Sequence, residues 1–596
     1  MTVKEKLASL RLQMQAEKID AYIVLDSDEH MSEYLPEHFR ERKWISGFTG
    51  SAGVVVVTQQ DAGLWTDGRY YLQAGQQLAG SGIVLHRASD AGVPSVEEFL
   101  CSRLTAGQTV GVHGRVASTA MVLALRERCA REQIAVRTDA DLVGRIWTQQ
   151  RPELPQAPAF SYPVSYAGES TKQKLAAIRE QMGKQYLDSY IVGEIAGVDW
   201  LMNLRGSDVA DAPLFTAFAM IQAEEAVLYA DAHRLPEEVQ QTLAENGVSI
   251  RSAEQIYEDI CQLPGLSRVG LSAKSVNAAV YDLLGERVER VLIDDLCEKA
   301  KAVKNHVELQ HLRSAHKHDG VALVRFLIWL EQAMKTERLT EWSICEKLLE
   351  LRGKQPGFRG QSFPTIAGYA SNGAIVHYAT NPKTCAELRE GSFLLVDSGG
   401  QYLSGTTDVT RTIPLGTVPQ NYKRDFTLVL QSFISLHSVR FLEGSTGKSL
   451  DVLARRVMWE NNLNYKHGTG HGVGFFLNVH EGPNNFAEAK TPLTEGMVIS
   501  IEPGIYREGV LGIRTENLVT VVKDGCSDEF GQFYRFDPLT MCPINTAAID
   551  VSMLSRQEIA WLNAYHAKVF EQLSPMLEEA EVKWLRNATA PIHVEK

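Results

Sequence analysis

Two stretches decide the fold: FLLVDSGGQYLSGTTDVTRT at 393–412 and VISIEPGIYREGVLGIRTENLVT at 498–520. In the first, an apolar run ends at Asp397, and a Thr- and Val-rich strand pattern surrounds Asp408, eleven residues on. The turn formers SGGQYLSG between them predict a hairpin carrying one carboxylate on each strand. The second stretch repeats the plan with Glu502 and Glu516. Between the two lies HGTGHGVG, with His467 and His471. A lone carboxylate beside a turn is ordinarily a surface residue or a cap. One that ends a fully apolar strand is costly to bury without a partner. Two such strands, each with a second carboxylate on its sister strand, make a metal centre the economical account.

The ligand candidates are Asp397, Asp408, His471, Glu502 and Glu516. Four carboxylates neutralise two divalent cations. Oxygen donors with one imidazole suit manganese, and cobalt or zinc can enter the same set. A water bridging two such ions loses a proton near neutral pH and becomes a nucleophile. The ions also polarise a scissile carbonyl. His377 in GAIVHYAT, His467 in KHGTGHG and His480 in NVHEGP lie in glycine-rich or turn-bounded stretches close to these positions. A single histidine is more often a surface or capped residue; this placement suits donors that hold a substrate carbonyl or move protons.

Working outward, the 596 residues exceed what one hydrophobic core serves, so two to four domains are expected. The net charge of −13 argues against a nucleic-acid partner. The N-terminus lacks the apolar run of a secretion signal, no stretch is long and apolar enough to span a membrane, and the ending PIHVEK resembles no lipid-anchor signal. Eight scattered cysteines form no CxxC pair, which predicts reduced thiols and a cytoplasmic setting.

An internal repeat is visible. KEKLASLRLQMQAEKIDAYIV at 4–24 aligns with KQKLAAIREQMGKQYLDSYIV at 172–192, with 11 of 21 positions identical, including Arg11/Arg179, Asp20/Asp188 and Tyr22/Tyr190. Each copy shows helical spacing and then a short buried-strand run, AYIV or SYIV. The spacing between copies far exceeds a solenoid repeat of roughly 20–50 residues. It predicts duplication of a whole α/β domain. The segment RPELPQAPAFSYP at 151–163 holds four prolines and reads as a linker. The expected domains are 1–157, 158–302 and 303–596, the last ending in a helical extension after about Thr546.

The strings SFPTIAGYASNGAIVHY, VDSGGQY, TDVTRT, GTGHGVG, VHEGP, IEPGIY and IRTENL resemble the pita-bread metallopeptidases, which include methionine aminopeptidase, prolidase, aminopeptidase P and creatinase. WISGFTGSAG, WTDGRYYLQA and WLMNLRG resemble the first two domains of the long aminopeptidases P. The resemblance implies two creatinase-like α/β domains followed by a pita-bread catalytic domain. It implies N-terminal Xaa-Pro cleavage by a metal-bridged hydroxide, in a cytoplasmic homodimer. Asp408 and Glu516 would bridge two ions, most simply Mn2+; Asp397 would complete one site, and His471 and Glu502 the other. Glu502 would also take up the nucleophile's proton. His377, His467 and His480 match substrate-handling histidines, and Arg69 matches a peptide-binding arginine. Arg514, counted with the substrate-binding set, and Tyr506 are weaker candidates in a supporting position. The plain alternative for Arg69 is an ion pair with Asp67.

Prolidase is the nearest rival, but it cleaves dipeptides and usually has one N-terminal domain. Creatinase works without metal, against which the complete ligand set argues. A non-catalytic peptide-binding role is the remaining alternative and calls for lost ligands.

Overall fold

A computed structural model describes residues 1–88, 90–486 and 489–593. The chain divides into two compact units, 1–164 with 169–297, and 298–596 with 165–168.

The first unit contains two six-stranded sheets. One runs, in spatial order, Val84–Arg87, Ala62–Thr66, Val54–Thr58, Ala21–Val24, Thr109–Val112, Ala135–Arg137. The other runs Val248–Arg251, Ala226–Tyr229, Phe218–Gln222, Ser189–Val192, Arg268–Leu271, Glu289–Leu292. Order and direction match strand for strand. Ala21–Val24 lies antiparallel to Val54–Thr58 and parallel to Thr109–Val112. Ser189–Val192 lies antiparallel to Phe218–Gln222 and parallel to Arg268–Leu271.

The identical residues of the repeat do identical work. Arg11 Nε donates to Thr58 O and Arg179 Nε to Gln222 O, each at 2.8 Å, and each carbonyl ends the neighbouring strand. Asp20 accepts from Thr109 N and Asp188 from Arg268 N, both at 2.8 Å. The Tyr22 and Tyr190 hydroxyls, fully buried, accept from Leu142 N and Leu296 N. A buried hydroxyl or guanidinium left unpaired is expensive, so the duplicated sequence keeps its partners together. The copies meet reciprocally: Thr119 N donates to Val276 O, and Ala278 N to Ala117 O. Both donors begin helices, capped by Ser118 and Asn277.

The second unit opens with the helix His306–Ala333, whose Asn305 cap forms a capping box with Glu308. The helix is buried on two sides, Val321 and Val324 facing one core cluster and Phe326 and Leu330 another. Phe326 shares a core cluster with Leu394, Val396, Val409, Ile413 and Leu415 of the first hairpin. Fully burying each such side chain contributes roughly 1.5–3 kcal/mol. That hairpin is Ser392–Ser398 against Val409–Leu415, with Ile366–Tyr369 on its outer edge. The second hairpin, Val498–Ile501 against Asn517–Ser527, sits centrally in a six-stranded sheet.

The connections are more ordered than turn composition suggests. Within 398–406, Gly400–Tyr402 and Gly405–Thr406 pair as strands and extend to Phe358–Gln361. Tyr402 is buried there and donates to Asp319 at 2.8 Å. Inside the second hairpin, Gly504–Arg507 and Leu511–Arg514 form their own ladder. Turn residues mark where the first ladder stops; a partner strand from elsewhere decides whether a second one starts.

Candidate metal centre

Register places the carboxylates. Asp397 pairs with Thr410 across the first hairpin. Side chains alternate faces along a strand, so Asp408, two residues before Thr410, shares the face of Thr410 and Asp397. In the second hairpin Ile501 pairs with Asn517. Glu502 and Glu516 are the next residues outward in that register and share a face in the same way.

Backbone and buried side chains lock the hairpins together. Glu516 N donates to Thr410 O at 3.2 Å, and Thr410 Oγ1 donates to Glu516 Oε2 at 2.7 Å. The Arg411 guanidinium, buried, donates to Thr410 O, Glu516 O, Asn517 Oδ1, Cys542 O and Pro543 O. His471 arrives on a two-residue strand, His471–Gly472, that pairs with Val498–Ile501 at Ile499. Gly470 is required before it, because a Cβ would run into Ser500 O.

Donor atoms of Asp408, His471 and Glu516 all lie within 4.8 Å of one another. His471 Nε2 is 3.5 Å from Asp408 Oδ2 and 3.5 Å from Glu502 Oε1. Asp397 Oδ2 accepts from Arg514 Nη2 at 2.6 Å. Asp397 Oδ1 and Asp408 Oδ1 are buried without a hydrogen-bond partner. Orphaned carboxylate oxygens in such a cluster fit a hard cation, and the donor set of four carboxylates and one imidazole fits two.

The other sequence candidates divide into four groups. The His480 ring stands edge-on to the His471 ring, centroids 4.2 Å apart. His467 Nε2 is 2.8 Å from Tyr506 Oη, Arg514 Nη1 donates to the same oxygen at 2.7 Å, and Arg514 reaches on to Asp397. A hydrogen-bonded chain thus runs from His467 to a candidate ligand. His377 is half-buried between two anchors: Val376 O accepts from Arg514 Nη2, and Tyr378 Oη donates to Glu341. Arg69 belongs to the first unit, where its Nε and Nη2 donate to the two oxygens of Asp67 at 2.9 and 2.8 Å.

Comparison with known proteins places the chain. A model described as metallopeptidase family M24 matches residues 310–523, and the C-terminal region of that peptidase matches 532–592. Two models of the creatinase/prolidase N-terminal domain match 6–141 and 150–308. Aminopeptidase P2 of Arabidopsis thaliana is 37% identical over 99% of this chain and 89% of its own length. A probable Xaa-Pro aminopeptidase P of Coprinopsis cinerea is 38% identical over 99% and 98%. The chain belongs to metallopeptidase family M24. Among solved structures, the X-prolyl aminopeptidase of Caenorhabditis elegans, described as a cytosolic enzyme with a di-nuclear active site, superposes on this M24 chain with a TM-score of 0.95. It is 33% identical, covering 99% of this chain and 100% of that one. A prolidase from Thermococcus sibiricus shares the fold over 63% of this chain, with a TM-score of 0.51 and 21% identity. The M24 domain therefore follows two creatinase-type domains, which is the fold expected from sequence.

Burial and mutual repulsion of the carboxylates dominate the electrostatics of the M24 centre. Burial, with the charges of Asp408 and Glu502, pushes Asp397 up to about 6 against the pull of Arg514. Burial and the Asp408, Glu502 and Asp397 charges drive Glu516 well above the carboxylate range. Glu502 is raised by burial, against the pull of His471 and Arg514. Burial opposes charge on His471, yet Asp408 and Glu502 outweigh it and carry the imidazole up to about 9.

A pH prediction follows for metal-free protein. The folded-state value of Asp397 lies above its ordinary 3.8, so its contribution to stability is present below that value and lost as pH rises through about 6. Glu502 and Glu516 have the same sign. Metal binding replaces protons at these oxygens and strengthens as pH rises. The melting-temperature gap between metal-loaded and metal-free protein is expected to widen between about pH 4 and pH 7. A gap that stays constant or narrows across that range would refute the account.

Sequence reasoning missed two organising residues. Arg411 had a signal, a charged residue inside the strand pattern DVTRTI. Glu341 had none: it begins a helix, yet its buried carboxylate accepts from Tyr369 N, Asn372 Nδ2, Tyr378 Oη and Ala386 N, and so holds the loop carrying His377 in this M24 domain.

Proposed function

We propose that this chain is a metal-dependent aminopeptidase that hydrolyses the N-terminal Xaa-Pro bond of peptides. The observation that carries the reading is the convergence of Asp408, His471 and Glu516, with orphaned oxygens on Asp397 and Asp408, in a chain similar over its length to aminopeptidases P.

Asp397, Asp408, His471, Glu502 and Glu516 would hold the two ions, with Asp408 and Glu516 shared between them. When bound, two divalent ions, manganese by preference of the donor set, supply an acidified water and a polarised scissile carbonyl. Glu502 accepts the proton that the attacking water releases. His377, His467 and His480 handle the substrate, holding its carbonyl or moving protons, with Tyr506 bonded to His467. Arg514 acts through Asp397 and Tyr506, to which its guanidinium is bonded. Arg69 engages the peptide downstream, fixed in orientation by Asp67. The protein works as a cytoplasmic homodimer, with no nucleic-acid or membrane partner; no described helix is long and apolar enough to cross a membrane. Its domains are 1–157, 158–302 and 303–596, a division supported by the repeated sheets and by the separate matches to 6–141 and 150–308.

Proline explains the specialisation. It fixes φ and has no amide hydrogen, so a site that needs a donor from that nitrogen cannot take it. A site shaped for the ring gains apolar contact and a preset backbone instead. Manganese-loaded protein is expected to release Arg from Arg-Pro-Pro, leave internal X-Pro bonds intact, and act slowly when alanine replaces the second residue, with products read by mass. Comparable rates on Xaa-Ala and Xaa-Pro tripeptides would indicate a broad aminopeptidase. Cleavage of Xaa-Pro dipeptides alone would indicate a prolidase.

A further inference from the structure

Glu481 directly follows His480 and is buried in a ring of charge. Lys301 Nζ lies 3.1 Å from its Oε2, and Lys304 Nζ donates to its Oε1. All three side chains are almost fully buried, at 1–2% exposure. Buried charges persist only when paired, and here one carboxylate is hydrogen-bonded to Lys304 and lies within ion-pair distance of Lys301. Burial works against the Glu481 charge, yet the two lysines hold the carboxyl below its ordinary range.

This cluster clamps the His480 loop to a fixed frame. Lys301 and Glu298 come from one turn of the helix ending at Ala302, and Lys304 follows two residues later. The Glu298 carboxylate occupies the space that a Cβ on residue 482 would need, so glycine fits there. Lys304 N donates to Gly496 O at 3.0 Å, and Val303 bridges to Met497. Those residues lead straight into Val498–Ile501, the strand that delivers Glu502. On its other side Glu481 pairs with Gly472, the neighbour of His471. The lysines therefore tie the residue after His480 to the base of the strand that carries Glu502.

We propose that Glu481, Lys301 and Lys304 are positioning residues that orient His480 for the reaction, an inference that rests on the catalytic reading of His480. They act on turnover through His480 rather than on metal or on substrate affinity. A purely structural ion cluster would lower turnover whether or not His480 is present.

The test uses full-length, manganese-loaded protein and a double-mutant cycle. Glu481→Gln is expected to lower kcat on an Xaa-Pro-Yaa tripeptide by roughly 10–100-fold, the scale seen when a group that orients a working side chain is removed. KM and bound metal are expected to stay near wild type. In the His480→Ala background the same substitution is expected to add no further loss. An equal fall in both backgrounds, or metal lost in step with activity, would overturn the proposal. Wild-type kcat in Glu481→Gln alone would overturn the clamp and leave the reading of His480 standing, whereas wild-type kcat in His480→Ala would overturn both. Lys301→Met leaves the Glu481–Lys304 pair intact and carries the same expectations where Glu481→Gln does not fold.

Discussion

The Asp408→Ala protein is expected to lose its bound divalent metal and nearly all hydrolysis of Xaa-Pro peptides. Asp408 is the residue to which the other donors converge: its Oδ2 is 3.5 Å from His471 Nε2, and it groups with Glu516 within 4.8 Å. Its Oδ1 is buried without a hydrogen-bond partner, an uncompensated lone pair that a bound cation would satisfy. Loss of a group that supports a metal ligand typically costs about 10–100-fold; loss of a shared ligand should exceed that. The fold should survive, because Asp408 lies beyond the last ladder pair, Ser398 with Val409. Removing its charge also relieves the repulsion that raises Asp397 and Glu516. Metal-free Asp408→Ala should therefore melt close to metal-free wild type, the relieved repulsion offsetting the lost pairing with His471. Metal analysis, tripeptide turnover and a melting curve check all three parts. A variant that retained two manganese ions and normal turnover would remove Asp408 from the site.

The second large effect is expected at His480. His480→Ala should lower kcat by roughly 10²–10⁴-fold, the range for loss of positioned acid–base catalysis. Bound metal should remain near wild type, because the residue stands beside His471 through its ring face and edge rather than among the grouped donors. Metal content and kcat, measured on the same preparation, separate the two roles. Metal falling in step with kcat would make His480 a ligand or a support of His471 instead.

The two hairpins were legible because their signals are local. Apolar runs ending in a carboxylate, turn formers and period-two alternation each depend on neighbours within about ten residues. The same holds for the duplication: Arg11, Asp20 and Tyr22 recur as Arg179, Asp188 and Tyr190, and each pair makes matching hydrogen bonds. The second strand layer at 400–406 was not legible. Its partner, Phe358–Gln361, lies about forty residues earlier, and pairing at that distance leaves no local mark.

Sequence alone thus determined the class of the chain, two copies of one α/β domain and then a domain whose hairpins end in Asp and Glu. It did so because hydrophobic periodicity and turn chemistry are written in consecutive residues. Only the tertiary structure decided how those hairpins face each other and what holds the histidines. The Thr410–Glu516 contacts span 106 positions, and those of Arg411 with Glu516, Asn517, Pro543 and Tyr565 span 105 to 154. The Lys304–Glu481 clamp spans 177. Glu341, Lys301, Lys304 and Glu481 read in sequence as ordinary charged residues of helices and loops. Their burial, and the partners that make burial tolerable, exist only once distant segments have closed around them, since the cost of a buried charge depends on its surroundings in space and not on its neighbours in the chain.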